Sequence, residues 1–178
     1  MEEIEVRFLE IDVDDLIQQL EKLGAQKNSD SQFDEWVYVR PEWDDISGRV
    51  RIRSDGQKSQ IAYKETRQGT DKGNVEIEFE VSDPDRAVKF MDKMGLEFKR
   101  HQQKRRIAYH LDGVSIDIDF WPKIPPYVEI EAVSLKEIEK TAKKLGLEME
   151  NACTLDAMQV IRQIYKIELK GVREFTFD

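Results

Sequence analysis

Cysteine is almost absent from this chain: Cys153 is the only one in 178 residues. An internal disulfide and a cysteine metal knuckle are therefore excluded, and a reducing, cytoplasmic setting is expected. Cys153 is expected to be a half-buried, inert thiol beside Thr154, which reads as a helix cap. Histidine is nearly as scarce, and His101 and His110 lack the spacing of a ligand pair, so both are expected at the surface. No apolar run approaches the ~20 residues that span a bilayer, and Met1 leads directly into a charged strand. Neither a membrane segment nor a signal peptide is expected. An excess of positive charge is missing too: the formal net charge of -9 argues against a general nucleic-acid binder.

What is present is charge, 37% of the residues, beside 39% hydrophobic residues. That suffices for one core, and no low-complexity linker divides the chain. A single domain over 1–178 is expected, with 148–178 as a C-terminal helical extension and tail. The tripeptide Glu-Ile-Glu occurs three times, at Glu3-Ile4-Glu5, Glu76-Ile77-Glu78 and Glu129-Ile130-Glu131. Each copy lies in an alternating run that leads into an amphipathic helix closing at Leu23-Gly24, Met94-Gly95 or Leu145-Gly146. Asp12, Ser82 or Asp83, and Ser134 read as the caps, with Pro84 in a first turn. The buried stripes are expected to be Leu16, Ile17, Leu20 and Leu23; Ala87, Phe90, Met91 and Met94; and Ile138, Ala142 and Leu145.

Further strands are expected at 32–39, 49–53, 60–66, 98–111 and 114–120, with Asp112-Gly113 as a hairpin turn. Residues 68–74 read as a Gly-rich loop, 155–167 as a last helix, and Arg173 to Phe177 as a short strand-like tail. The plan is α+β: an eight-stranded, mostly antiparallel β-barrel with amphipathic helices packed on its outside.

Strand parity sorts the residues into two faces. One collects Glu3, Glu5, Arg7, Arg49, Arg51, Arg53, Lys64, Glu76, Glu78, Glu80, Lys104, Arg106, Asp117, Asp119, Glu129 and Glu131. The other is apolar, from Ile4, Val6 and Phe8 through Val75, Ile77 and Phe79 to Val128 and Ile130. A half-solvated sheet alternates in the same way. Here, however, acids and arginines segregate by strand, and unpaired carboxylates are expensive to bury. If helices cover the outside of a barrel, the charged face lines its lumen. Carboxylate oxygens there suit Mg²⁺ or Mn²⁺, and arginine forks suit phosphate oxygens.

The order and spacing of these motifs resemble the CYTH superfamily, the triphosphate tunnel metalloenzymes, across about residues 1–147. The layout is most similar to the branch of class IV adenylate cyclases and thiamine triphosphatases, on the distance from Asp119 to Glu129 and Glu131. The resemblance implies a tunnel that takes a small-molecule triphosphate with Mg²⁺ or Mn²⁺. It implies metal binding by Glu3, Glu5, Glu76, Asp119, Glu129 and Glu131, and phosphate binding by Arg7, Arg51, Arg53, Lys64, Lys104 and Arg106. Arg7, Glu78 and Asp119 are the candidate catalytic residues. Two departures stand out. Arg7 replaces the signature lysine and, staying protonated, cannot act as a general base. Ile124-Pro125-Pro126-Tyr127 replaces the common Leu-Gly-x-Phe before the last strand.

The expected activity is metal-dependent cleavage of a phosphoanhydride bond. Water attacking the terminal phosphorus makes a triphosphatase, which needs fewest parts. A ribose 3′-hydroxyl attacking the α-phosphorus makes a cyclase that releases pyrophosphate, and it needs a nucleoside pocket for which Trp36, Tyr38 and Trp121 are candidates. A non-catalytic polyphosphate or nucleotide binder is the third reading. The basic run Lys99 to Arg106 is expected to face the acids and not to bind nucleic acid. A homodimer is compatible with all of these, and no membrane partner is expected.

Overall fold

The computed structural model describes residues 4–46, 48–65 and 75–178, with the side chains of 44–46 outside the description. Glu3 and the loop at 68–74 lie outside the described residues. The chain forms two compact units: Met1–Ser31 with Arg105–Leu169, and Gln32–Lys104 with Lys170–Asp178. Strands β2 (Gln26–Val39) and β6 (Glu97–Leu111) run through both.

In the first unit, β1 (Ile4–Leu9), β8 (Tyr127–Ala132), β7 (Val114–Phe120) and the end of β6 pair in that order, all antiparallel. The β6–β7 hairpin turns at Asp112-Gly113, both with positive φ (52° and 87°), the conformation a tight hairpin demands and glycine supplies without strain. Val6, Phe8, Ile107, Tyr109, Ile116, Ile118, Val128 and Ile130 bury their face. Their cover comes from Leu16 and Leu20 of α1 (Val13–Lys22) and Ile138, Ala142 and Leu145 of α3 (Leu135–Lys144). Asp12 and Ser134 cap these helices as expected, each accepting a backbone N–H three residues on. The charged parity of the strands therefore lies on the side away from the helices.

In the second unit the order is β6-β2-β3-β4-β5, with β3 at Arg49–Ser54, β4 at Ser59–Glu65 and β5 at Val75–Glu80. Its core of Tyr38, Val50, Ile52 and Ile61 packs on Met91 of α2 (Pro84–Lys93), a helix capped by Asp83. A short β9 (Glu174–Phe175) adds to β6 in parallel at His101 and Gln102.

The structure corrects several expectations. Strand β2 begins at Gln26, not residue 32, because the polar stretch 26–31 still pairs despite having no apolar alternation. Phe90 and Met94 are 57% and 50% exposed, since α2 buries only Met91 fully. The apolar face of β5 is uncovered as well, with Ile77 and Phe79 more than half exposed. The last helix is shorter than 155–167: α4 spans Ala157–Gln159 and runs into a π-helical turn, Val160–Ile164. Its cap is Asp156 in a capping box with Gln159, not Thr154.

Candidate functional site

The first unit builds its charged face by register. Glu5 lies opposite Glu131 and Arg7 opposite Glu129 across β1 and β8; Glu129 in turn faces Asp117 on β7. Arg106 on β6 faces Asp119, which faces Tyr127. Cross-strand partners project to the same side, so four carboxylates, Glu5, Asp117, Asp119 and Glu129, meet two guanidinium groups, and Glu131 lies opposite Glu5. Arg106 forks onto Asp119, with Nε and Nη2 donating at 2.6 Å to its two oxygens. It also donates to Asp117 and, at 3.0 Å, to Glu129. Arg7 donates through Nη2 to Glu5 at 2.8 Å and meets Glu129 at 2.6 Å. Its Nη1 donates to the Leu155 carbonyl at 2.8 Å, while its backbone exchanges two 2.8 Å hydrogen bonds with Cys153.

Burial disfavours a charged guanidinium, but Glu129 and Glu5 outweigh it at Arg7, and the bonds to Asp119 outweigh it at Arg106; both pKa values rise above the ordinary arginine value. Tyr127 is pushed up by burial and by the charges of Asp119 and Glu129, so it stays a neutral phenol. Glu5, Glu129 and Glu131 each bring a carboxylate oxygen within 4.8 Å of the others. Three hard oxygen donors converging from exposed, buried and half-buried positions fit Mg²⁺ or Mn²⁺ chemically.

The second unit arranges its charges in three rows. Glu35, Arg53, Gln60 and Glu80 form one across β2 to β5, Val37, Arg51, Ala62 and Glu78 the next, and Arg49, Lys64 and Glu76 the third. Lys64 pairs with Glu76 at 2.7 Å. The small Ala62 separates Arg51 from Glu78, which meet only at 4.0 Å. Arg51 also reaches Glu35 at 3.5 Å. Glu35 is 2% exposed, and its second oxygen accepts from the Gln102 amide at 2.7 Å. Arg100 donates to the same amide's oxygen at 2.9 Å. Burial pushes the Glu35 carboxyl up, but Arg51, Lys104, Gln102 and Arg53 outweigh it and hold the pKa below the ordinary value.

The structure thus brings Glu5, Glu129 and Glu131 together, and places Arg7 and Arg106 among them. Asp119, expected as a ligand, is 1% exposed with both oxygens occupied by Arg106, so it orients that arginine. Glu76 sits in the second unit and is paired with Lys64. Arg51, Arg53, Lys64 and Lys104 all belong to the second unit. Lys104 is buried, as are Arg100 and Gln102, so one parity of the basic run turns inward.

Of the aromatic candidates, Tyr38 is buried with its hydroxyl donating to Asp92 at 3.2 Å; burial and the Asp92 charge raise its pKa to about 12. Trp121 is buried and donates to the Tyr127 hydroxyl at 2.9 Å. Trp36 stacks on His101 with ring centroids 5.2 Å apart. His101, expected at the surface, is instead partly buried, and its two nitrogens meet Asp34 at 2.9 Å and Glu174 at 2.7 Å. Sequence reasoning misses Glu35 and Gln102. Their parity with Val37 and Lys104 is an available signal, but only the β2–β3 register shows Glu35 opposite Arg53.

The chain matches the family model for the CYTH domain over residues 1–154. Solved structures share the fold. A protein of Pyrococcus horikoshii is 26% identical with a TM-score of 0.73, over 89% of this chain and 98% of its own. A Vibrio parahaemolyticus protein named as a candidate adenylate cyclase is 13% identical with a TM-score of 0.75, over 89% and 97%. A Hippeastrum candidate adenylyl cyclase, described as having dominant triphosphatase activity, is 14% identical with a TM-score of 0.60, over 94% and 99%. No curated protein matches.

Proposed function

The chain belongs to the CYTH domain family, and from that premise we propose that it is a divalent-metal-dependent triphosphatase. The reading rests above all on Glu5, Glu129 and Glu131 converging within 4.8 Å beside two buried or half-buried arginines. Five carboxylates against two guanidinium groups leave the first unit's face with surplus negative charge. That surplus suits a cation that arrives with its substrate.

Glu5, Glu129 and Glu131 would hold Mg²⁺ or Mn²⁺, which supplies Lewis-acid neutralisation of phosphate charge when bound. Arg106, fixed by Asp119, would bind phosphate oxygens on the first unit, and Arg51, Arg53, Lys64 and Lys104 are the phosphate-binding candidates of the second. Glu78 would hold the attacking water and accept its proton as the water oxygen adds to the terminal phosphorus. The bond to the bridging oxygen then breaks and a diphosphate leaves. Arg7 cannot take the proton, because its neighbours keep it charged. Hydrolysis is favoured over cyclisation because it needs fewer parts, and two of the three aromatic candidates for a nucleoside, Tyr38 and Trp121, are buried with their polar ends bonded.

The experiment is incubation with Mg²⁺ or Mn²⁺ and tripolyphosphate, thiamine triphosphate or ATP, with phosphate, pyrophosphate and cyclic AMP measured. Metal-dependent phosphate release is expected. Cyclic AMP with pyrophosphate from ATP would replace this reading with a cyclase, and tight binding without turnover would replace it with a phosphate-binding module.

A further inference from the structure

Arg51 stands between two carboxylates of unlike character. Glu35 is buried, and Gln102 grips one of its oxygens at 2.7 Å while the other faces the Arg51 Nη1 at 3.5 Å. Gln102 is in turn held by the buried Arg100 at 2.9 Å, so the amide that holds Glu35 is itself anchored. Glu78, by contrast, sits on the edge strand β5 with its side chain 31% exposed and meets the Arg51 Nη2 only at 4.0 Å. The Arg51 Nε is buried and has no hydrogen-bond partner among the described residues. The facing Glu35 Oε1 likewise has no hydrogen-bond partner among the described residues, so its hold on Arg51 is electrostatic. An arginine between a buried, anchored counterion and a more exposed one, with an unused buried donor, is arranged to accept a further anion.

We propose that Glu35 is the positioning residue of a phosphate subsite: it fixes the Arg51 guanidinium, and an incoming phosphate oxygen displaces Glu78 while Glu35 stays in place. This rests on the triphosphate reading above and assigns opposite roles to two carboxylates on one arginine. Glu35 lowers the freedom of the fork that grips phosphate. Glu78 competes with that phosphate for the fork. A simple charge argument makes no such distinction, because removing either carboxylate adds one positive charge to the same cluster.

The test is calorimetric titration of tripolyphosphate in chelator, so that bound metal plays no part. Glu78→Gln is expected to bind tighter than wild type by about threefold, and Glu35→Gln weaker by about tenfold. Tightening in both variants would make Glu35 another competing counterion and overturn the proposal. Should Glu35→Gln fail to fold, Glu35→Asp keeps the charge but withdraws it by one methylene, and weaker binding is again expected; wild-type affinity overturns the proposal. A second readout needs no substrate. In ¹⁵N NMR the Arg51 guanidinium should show hindered rotation in wild type and Glu78→Gln, and averaged signals in the Glu35 variants. Averaged signals in wild type sink the positioning role whatever the ligand. Absence of tripolyphosphate binding in wild type, with Arg51 still hindered, would instead count against the triphosphate reading alone.

Discussion

Arg7 and Glu129 face each other across the β1–β8 ladder and their side chains meet at 2.6 Å. The same guanidinium binds Glu5 and the Leu155 carbonyl, and the Arg7 backbone pairs with Cys153. One residue therefore joins β1, β8 and the segment that follows α3. A lysine ammonium could carry the charge, but it lacks the planar fork that reaches acceptors on opposite sides. The departure from the family signature at this position thus has a structural use in this chain.

Glu129 and Glu131 are separable for the same reason. Glu129 is buried and serves both Arg7 and Arg106, whereas Glu131 is half-buried and opposite Glu5. Glu129→Gln should lose about 3–5 kcal/mol of stability, the range for breaking a buried charge pair. Glu131→Gln should lose about 1 kcal/mol or less. Both should lose most metal-dependent turnover. Urea denaturation beside a phosphate-release assay checks this, and equal stabilities for the two variants would contradict it.

Much of this site is legible in the amino-acid sequence alone. Parity puts Glu5, Arg7, Glu129 and Glu131 on one face, and Ile130 and Val6 on the other, because β alternation is strict and α1 and α3 need an apolar partner. The pairing of particular charges is not legible. That Arg106 forks onto Asp119, or that Glu35 lies opposite Arg53, depends on strand register, which sequence periodicity leaves open to any even shift. The link from Arg7 to Leu155 joins segments 148 residues apart through a carbonyl, a group every residue carries, so no side-chain pattern announces it. The Phe90 and Met94 expectation fails differently: helical period marks a stripe, but the width of the surface it meets decides how much of that stripe is buried.

The depressed Glu35 carboxyl makes a prediction about acid. Its folded pKa lies below the ordinary 4.5, so the unfolded chain takes up a proton that the native state still refuses. The stability it contributes is complete above about pH 4.5 and is lost as pH falls through the folded value. Asp30, held down by Arg105, and Asp55, held down by the Lys58 and Gln57 N–H groups, act in the same direction. Wild type should therefore lose stability on acidification, and Glu35→Gln should lose less across the same window. Urea midpoints at neutral pH and at about pH 3 measure it, and parallel losses would count against a depressed carboxyl.

The C-terminal tail is held by burial of Phe175, which is 1% exposed and pairs through β9 with Gln102. Phe175→Ala should cost about 3–5 kcal/mol, as for other buried aromatics. Because β9 adjoins the Gln102 that grips Glu35, the same variant should lower tripolyphosphate affinity. Loss of stability with affinity unchanged would show that the tail supports the fold without reaching the subsite.

Arg7 offers a test of competition between an internal cation and a metal ion. The guanidinium occupies Glu5 and Glu129, two of the three carboxylates that converge within 4.8 Å. A divalent ion entering that group must share them or displace the fork. Arg7→Met removes the fork and leaves Glu129 with Arg106 alone, so stability without metal should fall by about 3–5 kcal/mol. The vacated carboxylates then bind Mn²⁺ more tightly, and by mass action the ion should raise the variant's thermal midpoint more than it raises that of wild type. Arg7→Lys keeps the charge but loses the Leu155 acceptor, and should fall by about 1–3 kcal/mol with turnover within tenfold of wild type. Thermal melts with and without Mn²⁺ decide the matter. A shift in Arg7→Met no larger than in wild type would mean that ion and guanidinium do not compete, and would move the metal off Glu5 and Glu129. A larger shift, with midpoints that converge as Mn²⁺ saturates, would mean that in this chain arginine stands in for part of the metal's charge until the ion arrives.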